Sequence, residues 1–239
     1  FQEARGLEQS GVLDAASRKA LASERAPTLI RMVLRAQALE APFTPDIPSR
    51  IVDQASLPFL GYRNLLEKLS ERFHTSSDTL LQLNPGLKTP RAGMELLLPG
   101  LIPSDRVYDP GLPARWRDML SDLNISASQP RAARIIVSKS QSVLRVLDAQ
   151  GRLIAQFPAT TGSDHDPLPL GQWRVRTTAF MPTYHYNPDL FWDADSGVQK
   201  AQLSAGPNNP VGVVWIDLDK PHYGIHGTPE PSPVSYTHL

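Results

Sequence analysis

The chain has 239 residues, enough for one or two compact units, and its 24 Lys plus Arg balance its 24 Asp plus Glu, leaving no net field to hold a nucleic-acid backbone. An apolar share of 41% can supply a core. The longest apolar runs, such as 213–216, fall far short of the roughly 20 residues that span a bilayer, so no membrane-spanning segment and a soluble chain are expected.

The first residues, Phe1-Gln2-Glu3, show no methionine, basic stretch or apolar stretch, which implies a removed leader or a fragment. A fragment is favoured, because Phe1 falls inside a helical pattern. Residues 1–41 read as helical, with Leu29, Ile30, Val33, Leu34 and Ala36 recurring at helix spacing after Pro27. The segment is too short to stand alone. Its opening, Phe1-Gln2, Gly6-Leu7, Ser10-Gly11-Val12-Leu13-Asp14 and Leu21, resembles the second half of the peptidoglycan-binding helical module, in which one helix ends at a glycine and the next begins after an aspartate. A plain amphipathic helix pair is the alternative.

The 23 prolines are about twice the usual share and concentrate in 42–58 and 99–113. Each fixes its own backbone and pushes its predecessor out of the helical region, so both stretches read as linkers. Between them, Leu65, Leu66, Leu69 and Phe73 mark one short helix and Leu80, Leu81 and Leu83 a second. Ser76 or Ser77 suits the N-cap of the second, Asn84-Pro85-Gly86 ends it, and a strand follows. Tyr62, Leu83-Asn84-Pro85 and Ala92-Gly93-Met94-Glu95-Leu96-Leu97-Leu98-Pro99 resemble a LysM module, a small glycan-binding helix pair flanked by two strands, over residues 60–101. The usual Gly-Asp signature of its first strand is absent.

A bridging helix at 114–123 presents Trp116, Met119, Leu120 and Leu123 on one face. From Arg134 the period shortens: Ile135 and Val137, then 143–147, then 153–157 read as strands, with Asp148-Ala149-Gln150-Gly151 as a hairpin turn. Trp173-Arg174-Val175-Arg176-Thr177 alternates, and 211–217 reads as a buried strand.

Common nucleophile and phosphate motifs are missing: there is no Gly-x-Ser-x-Gly, glycine-rich loop or His-Glu-x-x-His. Cysteine is absent, which excludes disulfides, thiolate metal sites and a thiol nucleophile within these residues. Histidines remain. His222 and His226 follow the run that ends at Asp217, where a strand end and glycines can hold an imidazole rigid yet exposed. Zinc bound by His222, His226 and His185 or Asp217 is disfavoured, since Gly224 and the β context argue against a helix there. Histidines packed as amphipathic fillers are the stronger rival.

Four segments settle the comparison with a family. Thr160-Thr161-Gly162-Ser163-Asp164-His165-Asp166-Pro167 followed by Pro169-Leu170-Gly171-Gln172-Trp173, then Tyr184-His185-Tyr186-Asn187-Pro188, then Gly206-Pro207-Asn208-Asn209-Pro210-Val211-Gly212, then Tyr223-Gly224-Ile225-His226-Gly227-Thr228 resemble, in this order, the YkuD-like L,D-transpeptidases. The resemblance implies a β-sandwich in which a histidine followed by glycine or serine faces a later Ser-His-Gly-Cys motif. His226 then resembles the general base that draws the proton from the thiol, and Gly227 and Thr228 the backbone that orients it. The implied pairing makes sense because a free thiol is mostly neutral at pH 7 and an adjacent imidazole stabilises the thiolate. Tyr184, Tyr186, Asn187, Asn208 and Tyr223 are candidates for lining the substrate cleft; each has an alternative as a turn residue or a core aromatic.

The expected fold class is α+β and multidomain: a partial helical module at 1–41, a LysM-like βααβ module at 60–101, and a mostly β, sandwich-type YkuD-like domain at 132–239 that stops before its cysteine motif. Pro233-Val234-Ser235-Tyr236-Thr237-His238-Leu239 departs from the family pattern, and His238 is not given the second histidine's role. The implied activity is peptidoglycan L,D-transpeptidation, forming 3-3 cross-links between stem peptides through a cysteine thioester, with no cofactor. The 239 residues alone are expected to be catalytically silent, although Ser235 and Thr237 are geometrically open as nucleophiles. A non-catalytic peptidoglycan-binding protein of the cell wall is the alternative, as is an L,D-carboxypeptidase or a transferase that attaches a protein to the wall. Stem peptides and glycan strands are the implied partners, and the periplasm or cell wall the implied place.

Overall fold

A computed structural model describes residues 1–24, 27–162, 165, 167–192, 194 and 197–229. Ser163, Asp164 and Asp166 of the first family segment, and 230–239 with Ser235, Thr237 and His238, lie outside the described residues. The chain is mixed α/β, mostly strands with a few short helices. No described helix is long and apolar enough to cross a membrane.

At the N-terminus a 3-10 turn, Glu3–Arg5, ends at Gly6, and helix α1, Ala15–Ala22, starts from Asp14. The Asp14 carboxylate accepts a hydrogen bond from the Ser17 amide at 2.7 Å, as an N-cap should. This bond and those from the Ser10 and Ser17 hydroxyls hold the carboxyl below its ordinary value.

The next stretch corrects the sequence reading. Residues 29–33 form strand β1, Leu29–Val33, not a helix, and β1 pairs antiparallel with β2, Glu95–Pro99, from Leu29 opposite Pro99 to Val33 opposite Glu95. Apolar residues at 29, 30, 33 and 34 satisfy the helical period, but the pairing imposes alternation. Ile30 and Met32 turn inward while Leu29, Arg31 and Val33 stay exposed. Between the strands lie helices α2, Leu65–Arg72, and α3, Ser77–Leu83, so a β-α-α-β unit is closed by a strand from the segment read as helical. Asn64 caps α2 and Ser76 caps α3. Asn84 ends α3 and ties it to β2, donating to the Leu97 carbonyl at 2.9 Å and accepting from the Leu97 amide at 2.8 Å. Leu34, Ala38, Leu69, Phe73, Leu80, Leu87, Leu96 and Leu98 fill the interior.

Both proline-rich stretches are stitched down rather than free. Thr44 donates its amide to the Tyr62 carbonyl at 2.9 Å, and the Tyr108 hydroxyl bridges the carbonyls of Leu120 and Ile125 at 2.9 and 2.8 Å. The second contact wraps the end of helix α4, Ala114–Asp122. Trp116 of α4 stacks on Phe180 with ring centroids 3.7 Å apart.

The β-rich half contains two three-stranded antiparallel sheets. One is β3, Arg134–Ser138, with β4, Val143–Leu147, and β5, Leu153–Pro158; the Glu3–Arg5 turn lies against β5. The other has β9, Val214–Leu218, between β6, Val175–Phe180, and β10, Gly224–His226. A two-stranded sheet pairs β7, Tyr184–Tyr186, with β8, Ala201–Leu203. The run 211–217 is shorter as a strand than its composition suggests, because Gly212 has a φ of +66° and the chain turns before Val214. The residues of β9 are half-buried, and every residue of β6 is exposed.

Backbone hydrogen bonds join the halves at the turn that follows β8. Leu60 donates its amide to the Ala205 carbonyl at 3.0 Å and accepts from the Asn208 amide at 2.9 Å. A Cβ on Gly206 would land on the Leu60 carbonyl oxygen, so only glycine lets the two backbones approach this closely.

Candidate active site

His226 is placed by strand register. β10 runs antiparallel to β9 with Gly224 opposite Asp217, Ile225 opposite Ile216 and His226 opposite Trp215. Directly opposed residues put their side chains on the same face. The imidazole accordingly stacks on the Trp215 indole, centroids 5.3 Å apart and planes 10° from parallel. The ring is exposed, so it is gripped on one face and open to a reactant.

Its protonation pattern follows from one contact. Nδ1 lies 2.7 Å from the Gly227 carbonyl oxygen. A carbonyl can only accept, so Nδ1 carries the hydrogen and donates it, and the neutral ring keeps the lone pair on Nε2. Nε2 is therefore the basic nitrogen of the neutral ring. Gly227 is held in turn: its amide donates to the Val214 carbonyl at 3.3 Å, and its backbone packs on Gly212. Thr228 follows directly and is half-buried.

The other candidates fall in three places. Tyr223 sits in the connection from β9 to β10, its amide donating to the Lys220 carbonyl at 3.2 Å and its ring 4.8 Å beneath the Lys220 ammonium. Tyr184 and Tyr186 share a face of β7, with ring centroids 6.5 Å apart, and Tyr186 stacks on Phe191 at 5.5 Å. Burial, and then the neighbouring Tyr186, raise the Tyr184 phenol above its ordinary value. Asn187 begins the 3-10 turn Pro188–Leu190 and accepts from the Asp189 amide at 3.2 Å.

Asn208 stands elsewhere than the sequence reading placed it. It is 4% exposed. Its side-chain nitrogen donates to the Gly61 carbonyl and to Glu67, each at 2.8 Å, and its oxygen accepts from Arg63 at 3.3 Å. An amide so engaged joins the two halves and offers no group to a ligand.

His185 projects from the face of β7 opposite the tyrosines, beside Gln202, and His222 lies in the β9–β10 connection with a φ of +66°. Among the described residues no group of three or more His, Asp or Glu side chains could hold a metal ion. Trp215 was missed in the sequence, and Asn209 and Gly212, although part of the third family segment, were given no role in the site. Trp215 could be found only from the register of β9 and β10, whereas Asn209-Pro210 and Gly212 carry a local turn signal.

With this geometry in place, residues 132–238 match the L,D-transpeptidase catalytic domain family, YkuD. A relative from Bacillus licheniformis named "Putative L,D-transpeptidase YkuD" is 25% identical over 171 residues, covering 71% of this chain and 73% of the relative. One of the same name from Bacillus subtilis is 23% identical over 169 residues, covering 71% and 73%. The likeness is thus to L,D-transpeptidase catalytic domains, and the family match covers the β-rich half of the chain.

Proposed function

We propose that the domain matched over 132–238 serves peptidoglycan L,D-transpeptidation, with His226 as the general base for a cysteine thiol contributed from outside these 239 residues, which contain no cysteine. The carrying observation is the exposed imidazole of His226, whose Nδ1 is 2.7 Å from the Gly227 carbonyl and whose Nε2 is left free to accept a proton. Nε2 takes the thiol proton, and the thiolate attacks the acyl carbon of the third residue of a tetrapeptide stem. Collapse of the tetrahedral intermediate expels terminal D-alanine, whose nitrogen takes the proton back from the imidazolium, and leaves a thioester. The side-chain amine of a second stem then displaces the cysteine, giving the 3-3 cross-link.

Tyr184, Tyr186, Asn187 and Tyr223 are the proposed cleft residues. The β-α-α-β unit is proposed as a LysM-like glycan-binding module, and the helical N-terminus as part of a second wall-binding module. The same reading proposes the periplasm or cell wall as the place where the protein works.

Two proteins test this: the 239-residue chain, and the chain extended with the Ser-His-Gly-Cys motif, each incubated with a tetrapeptide stem. The extended protein should release D-alanine by mass spectrometry, and His226→Ala in it should lower the rate by about 10²-fold or more. Release by the 239 residues alone, or full activity of the His226→Ala protein, would overturn the reading. The absence of cysteine and the independent core of the β-α-α-β unit favour one rival, a wall-binding protein with a silent β-rich half. An L,D-carboxypeptidase or protein-attaching transferase would use the same site with water or a lysine amine as acceptor, and product analysis separates them.

A further inference from the structure

We propose that Asn209 is a positioning residue for His226, acting through Gly212 and Gly227; the inference rests on reading His226 as the base. Asn209 is 0% exposed. Its side-chain nitrogen donates to the Ser204 carbonyl at 2.8 Å and, more weakly, to the Pro182 carbonyl at 3.4 Å, while its oxygen accepts from the Val211 amide at 3.0 Å. Its main chain does the same work: the amide donates to the Gly206 carbonyl at 3.1 Å and the carbonyl accepts from the Gly212 amide at 2.7 Å. One buried amide thus fixes both ends of the turn and ties it to the segment leading into β7.

The far end of that turn lies close behind the site. Gly212 has a φ of +66°, and a Cβ built on it would meet the Gly227 Cα and carbonyl carbon at 2.9 Å and the Thr228 nitrogen at 3.0 Å. Those atoms belong to the peptide plane whose oxygen accepts from His226 Nδ1. Held from behind, the plane cannot rotate, and its carbonyl keeps the hydrogen on Nδ1. Released, it can swing away, and a neutral imidazole without that acceptor favours the hydrogen on Nε2, the nitrogen the base requires free.

The sign of the effect is specific, which separates it from general loosening. Long-range 1H–15N NMR of the 15N-labelled 239-residue protein in mildly alkaline buffer reads the tautomer of His226. The parent should show a protonated Nδ1 and an unprotonated Nε2. Asn209→Ala should invert or average the two nitrogen shifts with the far-UV circular dichroism retained, and Gly212→Ala should do so from the other side of the contact. Leu203→Ala, which opens a cavity at a fully buried residue of β8, should lower stability and leave the tautomer unchanged. If Asn209→Ala does not fold, the Gly212→Ala spectrum decides alone. An Nε2–H ring in the parent, an unmoved tautomer in the folded variants, or an equal shift in Leu203→Ala overturns the proposal. Failure of the extended protein to release D-alanine would instead count against the function, because the tautomer is read without turnover.

Discussion

In the unit built around β1, α2, α3 and β2, Leu34, Leu69, Phe73, Leu80, Leu96 and Leu98 are each no more than 2% exposed and share one cluster. In the β-rich half the buried hydrophobics among the described residues are Leu203 and Val211, whereas Ile136, Phe157 and Val175 on its strands are 41%, 53% and 53% exposed. The first region is closed by side-chain packing. The second holds its shape through backbone ladders and the buried amides of one turn, and those are the parts that aim His226. Packing therefore anchors one end of the chain, while hydrogen-bond geometry positions His226 at the other. Segments with fewer buried contacts open more readily, so amide exchange should be slowest in α2 and α3 and faster in β6 and β10.

The strongest blow to that contrast is Leu69→Ala. Leu69 is 0% exposed in the middle of the cluster, and its truncation should cost about 2–5 kcal/mol in denaturant unfolding. Protection should fall first at the amides of α2 and α3. Simultaneous and equal loss across β3–β5 would show that the two regions unfold as one unit and erase the distinction.

Glu71 probes the same unit through pH. Burial, and secondly the nearby Glu67 carboxylate, raise the Glu71 carboxyl from its ordinary 4.5 to about 7, against a hydrogen bond from Tyr62 that favours the ionised form. Below pH 4.5 it is protonated in both the folded and unfolded chain. Between 4.5 and about 7 the unfolded chain releases the proton and the folded chain keeps it, so stability falls as pH rises through that window and the cost is constant above it. Glu71→Gln should remove that slope and gain up to about 3 kcal/mol above pH 7. Chemical denaturation at pH 5 and pH 8 measures it; a variant that keeps the parent's slope refutes the assignment to Glu71.

A smaller effect is expected at the cap of α3. Ser76 accepts from the Thr79 amide at 3.1 Å, and Ser76→Ala should cost about 1 kcal/mol, confined by hydrogen exchange to that helix. Ser76 was legible in the sequence, as were α2, α3, the stop at Asn84-Pro85-Gly86, α4 and the hairpin at 148–151, because each is written in residues within one or two turns of chain. The place of His226 at a strand end beside glycines was legible for a similar reason, whereas its role as base comes from the family resemblance and stands as a proposal. β1 was not, since five residues fit both periods and their partner strand lies more than sixty positions on. Asn208 was misplaced because an exposed-looking amide in a proline-glycine turn gives no hint that Gly61 and Glu67 will fold over it. What was missed is what distant segments decide.

The mildest expected change is also the one most able to overturn the comparison. Phe157 lies on β5 opposite Leu144 and is 53% exposed, so Phe157→Ala should shift stability by no more than about 0.5 kcal/mol. A near-neutral result at both low and high protein concentration means that the face of β3–β5 is solvated as the structure has it. A loss of several kcal/mol independent of concentration would mean that other parts of the same chain bury Phe157 in solution. A loss that grows with concentration would point to a second copy. Either would give the β-rich half a packed apolar layer of its own, and the turn at Asn209 would cease to be its principal fastening.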